Sequence, residues 1–166
     1  MSDAVDRVLA QWHAERPDLD VSAMGVIGRI SRASALLERR IGKALAEYDL
    51  QPGEFDLLAT LRRSGAPYRL TVGQLLKSTM VTSGAVTHRL NRLDDKRLVT
   101  RDFDPRNRRS VIVALTEQGL AVVDRALPAH VDNEQKQLAG LTMQKRAALA
   151  GLLRDLLLGL GDSVSD

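Results

Sequence analysis

Residues 71–115 constrain this chain more than any other stretch. TVGQLLKSTMVTS reads as a short helix and a turn, and GAVTHRLNRLDDK as a second helix. LVTRDFDPRNRRSVIVAL then reads as two strand-like runs, 98–101 and 111–115, joined by a turn full of arginine. A helix-turn-helix followed by a basic hairpin can hold duplex DNA: one helix enters the major groove while the hairpin arginines reach phosphates or the minor groove.

The distribution of charge points the same way. Residues 82–109 hold eight Lys/Arg and four Asp/Glu, a surplus of four. The whole chain has 24 basic and 21 acidic residues, so the remainder carries 16 basic against 17 acidic. The positive surplus therefore sits on one element, where neutralised phosphates would release counterions.

Composition excludes several other classes. At 166 residues, 44% hydrophobic and 27% charged, the chain has the make-up of a soluble globular protein. No cysteine is present, which removes disulfides, thiolate zinc sites and thiol-based peroxide sensing. His13, His88 and His130 are far apart and lack ligand spacing, so no metal and no cofactor is expected. No glycine-rich phosphate loop, paired histidine–carboxylate set or nucleophile motif appears, and no enzyme is expected. Arg154 and Asp155 break the longest apolar stretch, and the N-terminus lacks a signal-peptide pattern. The expected compartment is cytoplasmic, with no membrane partner.

Periodicity and punctuation predict helices over 4–14, 23–48, 52–64, 72–77, 83–96, 117–126 and 143–159. Asp20 or Ser22 can cap the second, Pro52 suits a first turn, and Thr71, Thr82, Thr116 and Thr142 precede helices. Pro128 should kink or interrupt the sixth before it continues towards 138. Val86, Leu90 and Leu93 are expected to face a core. The last helix carries Leu149, Leu152, Leu153, Leu156, Leu157 and Leu160 on one broad stripe. The stripe fits internal core or half of a dimer interface; a small winged lobe offers too little to bury two long helices, which favours the homodimer. A two-fold protein would read a near-palindromic operator with half-site centres roughly 34–36 Å apart.

The fold expected is mainly α: a winged helix-turn-helix DNA-binding lobe over 52–115 with a two-stranded wing, plus N- and C-terminal helices, 4–48 and 117–160, forming a dimerisation region. All of it forms one domain over 1–166. Thr82, Ser83, Thr87 and His88 lie on the N-terminal half of the recognition helix, where side chains meet base edges and phosphates. Arg92, one turn on, suits a base or phosphate. Arg106 at the hairpin tip suits a narrow minor groove, and Arg108 a phosphate. The same pattern also fits a surface helix with its polar residues outside.

The order helix, helix, helix-turn-helix, wing, two helices resembles the MarR family of bacterial winged-helix regulators. The wing Asp104-Pro105-Arg106-Asn107-Arg108-Arg109, the strand 111–115 and Thr116-Glu117-Gln118-Gly119 are similar to the family's D-x-R-D/N-x-R and L-T-x-x-G patterns. Asn107 stands where many relatives carry aspartate. The resemblance implies that Asp104 and Arg109 form an internal pair that shapes the wing. A narrower resemblance, to urate-responsive members with an extra N-terminal helix, rests on Trp12, Asp56, Arg89 and Arg101, with Leu127-Pro128-Ala129-His130 in support. It implies a ligand site made by those four residues and a small anionic ligand such as urate or a related purine.

The residue types suit such a role. An arginine fork can engage an anion through two parallel bonds, and Trp12 can stack on a flat heterocycle. Asp56 can accept a ligand N–H, or pair with Arg89 or Arg101 when the site is empty. Equally, Trp12 can simply anchor the first helix, Arg89 and Arg101 can face DNA, and Asp56 can be an ordinary exposed or ion-paired acid. The expectation is a ligand-responsive regulator, a repressor released by its ligand. An aromatic carboxylate or phenolic effector, or a DNA-binding protein with no effector, are the alternatives.

Overall fold

The structure is a computed structural model that describes residues 2–79, 83–105 and 107–162. Among these residues the order of elements is α1 (Ala4–Glu15), α2 (Ser22–Leu45), a 3-10 turn (Ala46–Tyr48), α3 (Pro52–Arg63), β1 (Arg69–Thr71), α4 (Val72–Ser78) and α5 (Ser83–Asp95). Then follow β2 (Val99–Asp104), β3 (Asn107–Leu115), α6 (Glu117–Gln137) and α7 (Met143–Gly159). The chain is a mainly helical winged-helix protein with a small antiparallel sheet.

Local chemistry sets most of the boundaries. Asp3 caps α1 by accepting from the amides of Val5 and Asp6, and Asp6 reciprocates to the Asp3 amide. Asp20 accepts from the Ser22 amide at the start of α2, with Val21 at the cap position. The second helix ends at Leu45, shorter than expected, because the chain tightens into the 3-10 turn and Asp49 then takes a left-handed φ of 54°. Pro52 opens α3, and the Glu54 carboxylate accepts from the Gln51 amide. Thr71 and Thr142 cap α4 and α7 as expected.

The core is built where α3, α5, α6 and the sheet meet. Leu57, Leu58, Leu61, Leu75, Leu93, Val113, Val123 and Ala126 are fully buried there, joined by Phe55, Val86, Leu90, Leu98 and Val99. At roughly 1.5–3 kcal/mol for each large apolar side chain removed from water, this cluster dominates the lobe's stability. The inward positions expected on α5, namely Val86, Leu90 and Leu93, all lie in it.

Three features differ from expectation. First, β1 was not foreseen; it pairs antiparallel with β3, Leu70 opposite Val113, giving the order β1-β3-β2. Three residues are too few for an alternation signal, and their partner is distant in sequence. Second, the wing strands are longer than 98–101 and 111–115. They pair from Val99 opposite Leu115 to Phe103 opposite Val111, then, across a register shift, Asp104 opposite Asn107. A ribbon that projects into solvent needs only its main-chain ladder, so polar side chains do not end it. Third, Pro128 does not interrupt α6, which runs as one helix of 21 residues. The lost amide bond is tolerated because tertiary packing of α6 through Val123 and Ala126 carries the helix across it.

One joint is unusually close. The Thr116 amide donates to the Leu98 carbonyl at 3.1 Å, and the Thr116 hydroxyl donates to the Arg97 carbonyl at 2.8 Å. That hydroxyl also accepts from the Gly119 amide, capping α6. A Cβ on Gly119 would stand 1.9 Å from the Leu98 carbonyl oxygen. Only glycine lets the start of α6 approach the root of the wing this closely.

The outer helices are different. On α7 no residue is buried, and Leu149, Leu152, Leu153, Leu157 and Leu158 are exposed. On α2, Met24, Val26, Ile27, Leu36 and Leu37 are exposed as well. A groove of about 860 Å³ between these helices is lined by Ile30, Leu37, Ile41, Leu149 and Leu153.

Candidate nucleic-acid interface and ligand cleft

α5 is held from behind. Its apolar residues are sunk in the core, while Thr87, His88 and Asn91 are exposed on the opposite side. That is the arrangement a helix needs to present polar side chains to a groove on a rigid backing. Beside it, β2 and β3 carry the basic hairpin. Thr82 and Arg106 lie outside the described residues, and the side chains of Ser83, Arg108 and Arg109 lie outside the described side chains. Asp104 is the last residue of β2, opposite Asn107.

Arg92 is held more tightly than the sequence suggests. Its Nε donates to Oε1 of Glu54 at 2.6 Å, and Lys96 donates to Oε2 at 3.1 Å. Glu54 is fully buried, whereas 38% of the Arg92 side chain is exposed. Burial pushes the Glu54 carboxyl up. The Gln51 amide and the Lys96 and Arg92 cations outweigh it and hold the group below its ordinary range. Glu54 was missed in the sequence. An acid in the first turn of a helix reads as a cap that complements the dipole, and its cationic partners lie 38 and 42 residues away.

No hydrogen bond or ion pair joins any two of the four expected ligand residues, among the described residues. Arg101 donates through Nε and Nη2 to Asp94 and through Nη1 to Asn91, at 2.8–3.2 Å. Asp56 therefore does not serve as its partner, because β2 lays Arg101 across the C-terminal half of α5, where Asp94 is the acid at hand. No ion pair joins Asp56 to Arg89 either, among the described residues. The Arg89 guanidinium packs over Gly53 at the start of α3; a Cβ there would meet its Cζ at 2.2 Å. Trp12 sits on α1 with 41% of its surface exposed.

Two of the four share one property. Oδ2 of Asp56 and a terminal nitrogen of Arg89 are buried and have no hydrogen-bond partner. Buried polar groups are nearly always satisfied, so such atoms ask for an explanation, which a ligand can supply. Asp56 lines a cleft of about 550 Å³ between α3 and α6, with Phe55, Arg62, Arg63, Leu127 and His130. The His130 ring tilts against Phe55 at 4.6 Å, its Nε2 faces Glu134 at 3.2 Å, and its Nδ1 is buried without a partner. Asp124 and Glu134 line it too, and Arg62 is paired with Asp124 at 2.7 Å, so what the cleft offers a small polar molecule is an aromatic wall at Phe55 and the unpaired atoms of Asp56 and His130.

The MarR family model matches residues 48–110, from the end of the 3-10 turn through α5 and into β3. The chain is 40% identical over 149 residues to the HTH-type transcriptional regulator PecS of Dickeya dadantii, covering 90% of each. Its fold is similar to Sco3205, a MarR family transcriptional regulator from Streptomyces coelicolor solved in complex with DNA. There the TM-score is 0.76, with 26% identity over 86% of this chain and 93% of that one. It is also similar to Bordetella bronchiseptica BpsR, whose DNA binding is regulated by 6-hydroxynicotinic acid, with a TM-score of 0.71 and 27% identity over 79% of this chain and 97% of that one. Fold, polar helix face and relatives together define a winged-helix DNA-binding transcriptional regulator, not an enzyme. The chain belongs to the MarR family. No helix among the described residues is long and apolar enough to cross a membrane.

Proposed function

We propose that the chain acts in the cytoplasm as a homodimeric repressor of a near-palindromic operator, released by a small planar anion such as urate or a related purine. Thr82, Ser83, Thr87, His88 and Arg92 face the major groove in this reading, with Arg106 and Arg108 on the wing and Asp104 with Arg109 shaping it. The lobe over 52–115 reads DNA, and the helices over 4–48 and 117–160 pair the two copies. The uncovered leucines of α7 support the pairing.

The observation that carries the ligand reading is the pair of buried, unsatisfied atoms on Asp56 and Arg89. Trp12 and Arg101 complete the site in the proposal, Arg101 leaving Asp94 to take the anion. Capture there would shift α5 and β2 relative to α6, and the half-site spacing would cease to match. A ligand acts only through its differential affinity for the two states; coupling of about 1–3 kcal/mol weakens DNA binding roughly 5- to 150-fold. Titrating urate or xanthine into the protein–operator complex tests this. No release at millimolar ligand, or undiminished release from Arg89→Ala combined with Trp12→Ala, overturns it.

An aromatic carboxylate is the second reading, favoured by the regulation of BpsR's DNA binding by 6-hydroxynicotinic acid. Thermal shift against purines and aromatic acids separates the two. A protein with no effector gives no shift with either.

A further inference from the structure

We infer that Glu54 is a positioning residue for DNA recognition: buried in the first turn of α3, it grips Arg92 through Nε and thereby aims the terminal nitrogens of Arg92 at a DNA phosphate. The inference rests on the reading that α5 faces DNA.

Glu54 does more than cap a helix. Its Oε2 accepts from the Gln51 amide at 2.9 Å and from Lys96 at 3.1 Å, and its Oε1 accepts from Arg92 at 2.6 Å. Both carboxylate oxygens are thus engaged, as a fully buried anion requires. Lys96 is also held by the Asp49 carbonyl and lies 3.4 Å from the Asp49 carboxylate, so its ammonium is committed to the protein. Arg92 is not. A guanidinium has five N–H donors, and Nε supplies only one. The terminal nitrogens carry the other four, and among the described residues no protein acceptor takes them. They belong to a side chain that is 38% exposed and lies four residues beyond His88, on the same exposed flank of α5.

This division of donors suits phosphate recognition. An arginine waving in solvent must lose rotamer freedom when it binds, whereas one already bonded through Nε arrives with its fork set. The basic residues make the anion necessary as well. Arg89, Arg92 and Lys96 follow one another at spacings of three and four, and Arg89 rests on Gly53 at the positive end of α3. Glu54 is the buried acid that allows these cations to sit there.

The test compares wild type, Glu54→Gln, Arg92→Gln and the double variant on a duplex selected by the wild-type protein from a randomised pool, across a salt series. Arg92→Gln removes one phosphate contact per protomer. The slope of log affinity against log salt should then flatten by about 0.9 per protomer, and affinity should fall on the order of tenfold. Glu54→Gln keeps the volume and one oxygen for the Gln51 amide but replaces the other with an NH2 and removes the charge. It should reproduce the slope and affinity of Arg92→Gln even though Arg92 keeps its charge, and the double variant should add little more. A Glu54 that serves stability alone lowers the melting temperature and leaves the slope unchanged; that result overturns the inference. If Glu54→Gln fails to melt cooperatively, Arg92→Lys replaces it. Lysine keeps the charge but has no Nε donor to hold Glu54 while a separate fork faces outward, so a wild-type slope and affinity for Arg92→Lys also overturn the inference. Failure of the wild-type protein to select any duplex overturns instead the reading that α5 faces DNA.

Discussion

The lobe from α3 to β3 and the outer helices α2 and α7 spend their apolar residues in opposite ways. In the lobe nearly every leucine is closed off: Leu57, Leu58, Leu61, Leu75 and Leu93 have no exposed surface. On α7 the leucines face outward, Leu152 at 68% exposure and Leu157 at 47%. The lobe's leucines close on one another and on Leu45, Val123 and Ala126 of the flanking helices, whereas the outward leucines of α7 meet nothing within the chain among the described residues. One chain thus holds a closed lobe beside an exposed apolar surface, the kind of surface that marks an interaction face.

That contrast can be broken at several points. The largest effect is expected from Leu58→Ala, which opens a cavity in the closed lobe and should cost about 2–5 kcal/mol, read by denaturant unfolding. Leu152→Asp on α7 should leave the fold by circular dichroism intact and instead shift sedimentation towards the single chain, with a dissociation constant raised at least about tenfold and a melting temperature that falls on dilution. If the two substitutions destabilise equally and independently of concentration, the contrast between the regions is false. Acid should attack the lobe through Glu54. Its folded-state pKa is depressed, so its contribution is present above the unfolded value of about 4.3 and is lost as pH falls through the lower folded value. An acid titration of unfolding free energy should therefore show less loss in that window for Glu54→Gln than for wild type. The smallest effect is expected at α1, where Arg29 bonds Asp3 and Asp6 on the surface of α2. These groups are exposed, and Arg29→Gln should lower the melting temperature only slightly, with the difference shrinking further at high salt.

The two regions also differed in how far the sequence could be read. The amphipathic period of α5 placed Val86, Leu90 and Leu93 inward correctly, and the caps of α7 gave its span, because both signals are local. What was not legible depends on distant partners. β1 exists only because β3 lies beside it. The ribbon of β2 and β3 needs no alternation to extend to Asp104 and Asn107. Glu54 looked like an ordinary first-turn acid until the fold set Arg92 and Lys96 against it. The family resemblance points Arg101 at a ligand, yet its resting partners Asp94 and Asn91 are fixed by how β2 crosses α5. Asp56 and Arg89 were named for the same site, and the fold leaves both with unpaired buried atoms without bonding one to the other.

The joint at Gly119 makes the hairpin the far arm of a lever. Hydrogen bonds from Thr116 and a backbone contact with no side chain between leave little slack where the arm is welded to its shaft. The shaft is α6, at 21 residues about 31 Å long, with Phe55 and His130 touching part-way along. A tilt of that shaft by a few degrees would be passed directly to the root of the wing, and the displacement would grow with distance from the joint.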